Sequence, residues 1–342
     1  MKYFKLFLIS FLLITEIVEA QDPHFSQFYY SPLTENPALT GAFDGSYRLG
    51  TIYKNQWGSV TSPFVYSTPS ISGDYKLMNN GYNNNYLGVG LMLLNDRSGD
   101  ANLSNLTAMF SAAYHLSLDQ RGYNHISIGL QGGIVQKSID QAALKFLDQY
   151  DGNGGFTGIS AEHFDNVSIL YPDFSAGAAY TSVISKQTRF QAGISVFHLT
   201  QPTERFLQST VSNDRLPIRY LAHASATFGL NSKIYLFPFG QFQMQNKNQE
   251  VVAGANIGYK FAGTPSAVGT LFYVGAFTRV KYNVVPTVGF MMNGLQFGLS
   301  YDVNLSNDLK AVAKSNGGFE LALVYTGILR SDKGQPIPCP TF

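Results

Sequence analysis

The sequence predicts an all-β chain: a transmembrane antiparallel β-barrel of about fourteen strands, with an irregular N-terminal segment at its periplasmic rim or in its lumen as a plug. Three observations predict it. Apolar and polar residues alternate with a period of two over runs of roughly ten residues, the length at which a tilted strand crosses a bilayer. Long and short connections alternate along the chain. Charged residues make up 13% of the 342, about half the usual globular share. The cleanest run is Leu295–Asn304, where Leu295, Phe297, Leu299, Tyr301 and Val303 take one face and Gln296, Gly298, Ser300, Asp302 and Asn304 the other. In a membrane barrel the apolar face meets lipid and the polar face the lumen.

Residues 1–20 have the composition of a signal peptide. Lys2 and Lys5 give a positive start, Leu6–Ile14 an apolar stretch too short to span a bilayer as a helix, and Val18-Glu19-Ala20 a small-residue cleavage form that leaves Gln21 as the mature N-terminus. No Cys follows that cleavage site. The single Cys, Cys339, leaves an exported chain without an internal disulfide.

Strands are expected at Tyr47–Gln56, Val65–Lys76, Tyr86–Asp96, Leu103–Leu118, His125–Lys137, Phe174–Ser185 and Arg189–Thr200. They continue at Arg219–Phe228, Ile234–Met244, Val251–Lys260, Ala267–Arg279, Asn283–Met292, Leu295–Leu305 and Gly318–Tyr325. The two-faced pattern recurs in Ile126, Ile128, Leu130 and Ile134 against Ser127, Gly129, Gln131 and Gly133. The inner faces read as small, glycine-rich and weakly charged, as a tightly curved wall or narrow lumen requires.

Connections after odd-numbered strands include the three longest, Ser138–Asp173, Gln201–Ile218 and Ser306–Gly317. Those after even-numbered strands include the tight turns Lys186–Thr188, Asn231–Lys233 and Asn293–Gly294. Outer-membrane barrels have short periplasmic turns and long external loops. A first strand rising from the periplasm therefore puts the long loops outside and both chain ends in the periplasm. A soluble sandwich has no reason to tie loop length to strand parity. The chain divides into the signal peptide 1–20, an irregular segment 21–45, the barrel 46–327 and a proline-rich tail 328–342.

The composition supports this reading. Aromatics reach 14%, with 21 Tyr, 26 Phe and one Trp, and there are 33 Gly; interfacial girdles use the first and curved walls the second. A net charge of +1 without a Lys/Arg cluster argues against nucleic acid as a partner. No nucleotide-binding fingerprint and no G-x-S-x-G elbow is present. Asp151-Gly152-Asn153-Gly154-Gly155 lacks the spaced acidic ligands and closing Glu of a calcium loop. His115 shares a face with Ser111 and Ser117, but a hydrolase also needs an orienting group and an oxyanion site, and no motif supplies them. No catalytic, cofactor-binding or metal site is assigned.

Residues 21–45 carry Phe25, Phe28, Tyr29, Tyr30, Leu33 and Leu39 among prolines, with no period of two or 3.6. So many large apolar groups are expected to pack, either in the lumen or against the periplasmic rim.

Five blocks in order resemble the PorP/SprF family of the type IX secretion system: Gln21–Gly41, Tyr53-Lys54-Asn55-Gln56-Trp57, Tyr301–Ser306, Gly317-Gly318-Phe319-Glu320-Leu321, and Cys339-Pro340-Thr341-Phe342. Thr341 departs from the arginine usual there. The resemblance implies an integral outer-membrane barrel without catalytic activity or cofactor. It implies that the barrel helps secrete or anchor a large surface protein, often an adhesin used in gliding, and contacts periplasmic ring or peptidoglycan-binding components. Candidate partner-binding residues are Asp22, Pro23, Phe25, Ser26, Gln27, Asn36, Pro37, Trp57, Cys339 and Pro340, with lipid around the barrel. Trp57 reads first as an interfacial anchor. The competing reading is an outer-membrane solute channel or transporter.

Overall fold

The computed structural model describes residues 22–56, 66–80, 84–99, 101–152, 155–156, 160, 167–185, 187–204, 215–261, 270–305 and 316–329. Within them, fourteen antiparallel strands close into one barrel. In chain order they are β1 (Tyr47–Gln56), β2 (Ser67–Asn80), β3 (Asn85–Ser98), β4 (Leu103–Ser117), β5 (Asn124–Ser138), β6 (Ser168–Ser185) and β7 (Thr188–Phe197). The second half comprises β8 (Arg219–Gly229), β9 (Ile234–Gln245), β10 (Asn248–Lys260), β11 (Leu271–Arg279), β12 (Asn283–Met292), β13 (Leu295–Asn304) and β14 (Asn316–Gly327). Each strand pairs with its neighbours in sequence. β14 returns to β1 with Tyr47 opposite Gly327 and Lys54 opposite Glu320. Closure leaves no sheet edge, which the bilayer demands because an unpaired backbone group finds no water there.

All fourteen expected strands are present. The largest boundary correction is that β6 begins at Ser168 rather than Phe174. β2 also runs on to Asn80 rather than Lys76, β7 stops at Phe197 rather than Thr200, and β11 begins at Leu271, the expected start at Ala267 lying outside the described residues. In β6, Leu170, Pro172 and Phe174 continue the outer face, and Tyr171 and Asp173 the buried face. The Tyr-Pro-Asp composition resembles a turn, but pairing with Gln136–Gly133 of β5 overrides it. The length alternation also needs correcting. The long-loop rim carries the connections 139–167, 198–218 and 305–315, but Asn246-Lys247 and residues 280–282 there are tight turns. At the opposite rim, residues 261–270 make a longer link.

The period of two maps onto the wall as the bilayer requires. Leu49, Ile71, Leu91, Ile128, Leu170 and Ile194 face outward and exposed, while Ile52, Ser111, Ser127, Gln131, Ser195 and Ser300 face inward and buried. Aromatic rings run along the outer wall near the short-turn rim: Tyr259 on Phe261, Phe261 on Phe272, Phe272 on Phe290 and Phe290 on Phe297, with centroids 5.0–5.9 Å apart. Tyr53 and Phe319 pair near the other rim. Two aromatic levels bounding an aliphatic belt are the girdles of a membrane barrel.

Inside the wall the observed faces differ from expectation. They are not weakly charged: Lys54, Glu250, Arg279, Asp302 and Glu320 are all inward and at most 7% exposed. Their partners come from residues 22–44, which fill the lumen. The chain crosses the interior from Asp22, against Gln245 and His198 at the long-loop rim, to Asp44, against Arg189 at the short-turn rim. The two ends of the described chain, Asp22 and Leu329, therefore sit at opposite rims. The expectation that both ends share one side is corrected: strand parity alone locates the start of β1, but the segment before it turns up through the lumen.

Leu299 lies on the outer face of β13. Leu299→Arg is expected to destabilise the barrel by about 2–4 kcal/mol, the cost of a cation near the midplane. Denaturant titration in lipid vesicles checks this, and an unchanged stability would reverse the assignment of faces.

Candidate functional site

The filled lumen is the site, and local sequence explains the shape of the segment within it. Three single turns follow one another: Phe28–Tyr30, Pro32–Glu35 and Pro37–Leu39. Pro32 and Pro37 each occupy a first helical position, where the missing N–H costs nothing and the fixed φ helps. Asn36 between them is extended, with φ −159°, and its Oδ1 accepts from the Ala38 N–H at 2.9 Å. Short turns of this kind leave many backbone groups unpaired, and inside a barrel only the wall can satisfy them.

The wall does so at three levels. Nearest the long-loop rim, one Glu320 carboxylate accepts from two consecutive backbone N–H groups, Ser26 at 2.7 Å and Gln27 at 2.5 Å. The Ser26 hydroxyl accepts from Arg279 at 2.7 Å and donates to Asp302 at 3.0 Å. Lys54 donates to the His24 carbonyl at 3.0 Å, and His24 Nε2 lies 3.1 Å from Glu250. These charges are buried together, and each is paired with an opposite charge or with a polar group of the plug, which makes them tolerable away from water.

At the middle level, the Asn36 amide donates to the Ala178 and Ile194 carbonyls at 3.1 Å and to His223 Nε2 at 3.2 Å. Ser195 donates to the Glu35 carbonyl and Gln131 to that of Leu33. Nearest the short-turn rim, the Gly41 N–H donates to Asp74 at 2.7 Å, and Asp74 also takes two bonds from Arg48. The Thr40 carbonyl accepts from His115 Nε2 at 2.7 Å. A carbonyl can only accept, so that nitrogen carries the proton, and Nδ1 accepts from Ser127 at 2.6 Å. His115, which invites a hydrolase reading with Ser111 or Ser117, thus bonds Ser127 and holds the segment, and Ser111 bonds the Thr40 hydroxyl at 2.8 Å.

Apolar contacts complete the fit. Phe25 and Tyr30 join Ile52, Tyr235, Leu271 and Tyr273 in one buried cluster, and Phe28 packs on Phe239, Phe277 and Val285 in another. The turns also need bare backbone beside them. A Cβ on Gly129 would fall on the Pro37 carbonyl, and one on Gly88 on the Thr40 carbonyl. These inward glycines let two backbones touch.

At the long-loop rim, His198 follows β7 and bridges two carboxylates, Asp22 through Nε2 and Asp173 through Nδ1 at 2.8 Å. Burial alone would lower its pKa, but the carboxylates of Asp22 and Asp173 raise it to about 9. Burial would raise that of Asp22, but His198, Arg219 and Lys137 hold it well below the usual carboxylate range. Asp22 and Pro23 line a cleft here with Lys137, Phe197, His198 and Arg219.

The sequence-derived partner-binding residues separate into three sets. Asp22 and Pro23 lie half-buried at the long-loop rim. Phe25, Ser26, Gln27, Asn36 and Pro37 are buried against the chain's own wall, so in this structure their partner is the barrel. Trp57, Cys339 and Pro340 lie outside the described residues, as do residues 1–21, where a signal peptide is expected, and the residues beyond Leu329. Sequence reasoning missed Lys54, Glu250, Arg279, Asp302, Glu320 and His198. A signal existed for three of them: Lys54, Asp302 and Glu320 fall inside the quoted motif blocks, each a charge at an inward position of an otherwise apolar-and-small strand.

The fold and site define a membrane-spanning β-barrel plugged by its own N-terminal segment. Residues 17–325 match the model of the PorP/SprF family, type IX secretion system membrane proteins, and the chain belongs to that family. No curated protein sequence matches it. Among solved structures it is similar to the toluene transporter TbuX of Ralstonia pickettii, at 11% identity and TM-score 0.49 over 88% of this chain and 94% of that one. It is also similar to a FadL homologue of Pseudomonas aeruginosa, at 10% identity and TM-score 0.43 over 86% and 94%.

Two expectations test the plug's attachments. Asn36→Ala leaves the Ala38 N–H without its side-chain acceptor and removes the donor shared by the Ala178 and Ile194 carbonyls and His223, a loss of about 1–3 kcal/mol. It should appear as faster hydrogen exchange at Ala38 and Thr40, and unchanged protection would show that the wedge is dispensable. His198 has a folded pKa above its unfolded value, so its contribution is complete below pH 6.5 and lost as pH rises through about 9. Thermal unfolding of the wild type should weaken over that window relative to His198→Gln, whereas parallel pH profiles would exclude the bridge as a stabilising contact.

Proposed function

We propose that this barrel acts in the outer membrane by binding rather than bond chemistry, helping the type IX machinery to secrete or anchor a large adhesin-like surface protein. In this reading the long-loop rim faces outward and carries the cargo contacts, to which Asp22, Pro23, Trp57 and the loops 139–167 and 198–218 contribute. The short-turn rim faces the periplasm, and from it the tail with Cys339 and Pro340 reaches ring or peptidoglycan-binding components. Gliding would follow from the nature of the cargo.

The observation that carries the reading is the filled lumen. A conducting pore needs a continuous water-filled path lined by groups an ion can use. Here the inward charges are spent on the plug: Glu320, Asp302, Arg279 and Lys54 all bind residues 24–27. A rigid, closed cylinder with two functional rims suits an anchor. Family membership supports the same direction, because secretion-system membrane proteins work through partners.

The test is a gentle detergent pull-down from native membranes with mass spectrometry, paired with planar-bilayer conductance. A dominant, very large secreted protein together with periplasmic machine components is expected, with a wild-type barrel that stays closed and a variant lacking residues 22–41 that conducts. A wild type that conducts like an open pore, recovered without companions, would replace this reading with the solute channel.

A further inference from the structure

The Glu35 side chain takes no part in the hydrogen bonds that attach the plug. The residue's backbone carbonyl is taken by Ser195, but its side chain, only 4% exposed, makes no hydrogen bond among the described residues, and Oε2 is buried there without a donor. Every other carboxylate that meets the plug in the lumen has a donor or cation on it. Gln27 Oε1 and Ser300 Oγ are also buried without a partner, but Glu35 is the carboxylate among these groups, and a buried carboxylate without a donor calls for one.

Beside it lies a cavity of about 70 Å³, lined from the plug by Phe28, Tyr29 and Glu35 and from the wall by Gln191, His223 and Ser225. At ~15 Å³ per water centre this holds a few waters or one small head group. Its chemistry is selective. His223 accepts from the Asn36 amide through Nε2 and is therefore the neutral imidazole. Gln191 and Ser225 bring neutral acceptors, and Phe28 and Tyr29 bring aromatic rings. A carboxylate, neutral acceptors and aromatic rings together favour an ammonium ion. Arg48 also lines the cavity, but its charge is matched by Asp74 at 2.6 Å. Gln191, Ser225, Ala42 and Arg48 are all partly exposed, so the opening lies toward the short-turn rim.

We propose that this cavity is a binding site for a primary ammonium group, with the Glu35 carboxylate as its counter-ion, entered from the short-turn rim. The ammonium belongs either to a lysine side chain of a partner protein or to a free diamine. The charged and titratable groups around Glu35 are Arg48 on β1, His223 and Arg219 on β8, and Glu250 on β10. Without a donor, burial favours the neutral carboxyl; an ammonium beside it makes the carboxylate the stable form. Binding therefore releases one proton from Glu35.

The experiment is titration calorimetry of the purified, detergent-solubilised full chain with Nα-acetyl-lysine methylamide and with putrescine. It is run near neutral pH in two buffers of different ionisation enthalpy. Saturable binding with about one proton released per ligand is expected, weakened at least tenfold and without proton release in Glu35→Gln. Tighter binding of the lysine derivative assigns a protein partner, and tighter binding of putrescine a free diamine. Hydrogen exchange of Asn36–Thr40 shows whether Glu35→Gln keeps the plug seated, and Gln191→Leu, placed at the opening, provides a second variant that should weaken binding. No binding by the wild type, or equal binding by a seated Glu35→Gln variant, overturns the proposal.

Discussion

Irregular backbone at membrane depth survives only if protein satisfies every group on it, and that constraint organises this molecule. Residues 22–44 form neither a full helix nor a strand, so their N–H and C=O groups turn outward to the wall. The wall answers with side chains, Glu320 on the Ser26 and Gln27 amides and Asp74 on the Gly41 amide, while the plug's own Asn36 wedges between β6 and β7. The barrel and its plug are thus one hydrogen-bonded unit. Removing the plug would leave a ring of buried charges facing one another across an emptied lumen, so the two parts have to be understood together.

The same constraint accounts for where the charges are. A chain with 13% charged residues still places Lys54, Glu250, Arg279, Asp302 and Glu320 inside. Each is worthless alone, since desolvation would outweigh any single contact. Together with Ser26, His24 and the two plug amides they form a network in which most donors and acceptors are matched. The cluster sits toward the long-loop rim, the His198 bridge lies at that rim, and the Arg48–Asp74 pair marks the other. The plug is consequently pinned at both ends and wedged at its centre by Asn36. Glu35, just before that wedge, is the conspicuous carboxyl left over.

Geometry of the wall sets how closely the plug can lie. Inward glycines on β3 and β5 let the turns at Thr40 and Pro37 rest directly on strand backbone. Aromatic residues fill the wider space toward β9–β12, where Phe28 meets Phe239 and Tyr30 meets Tyr273. Small residues on one side and rings on the other make an off-centre fit, which leaves spaces such as the cavity beside Glu35 and the cleft beside Asp22 among the described residues.

Much of this was legible in the chain itself. A period of two is a local property, so fourteen strands, their outward faces and the even count could be read without knowing which strand pairs with which. Boundaries were less legible: pairing with β5 carries β6 back through Tyr171-Pro172-Asp173, which lay in an expected loop. The wealth of aromatics in residues 21–45 announced that the segment must pack. Where it packs, and on what, depended on closure. Lys54 and Glu320 are opposite each other only because β14 returns to β1, and Ser26 meets Asp302 only because the segment rises through the lumen instead of resting at the rim. Singly, such charges look like solvated surface in a sequence. Long-range pairing decides that they are inside, and inside a barrel a charge must have a partner.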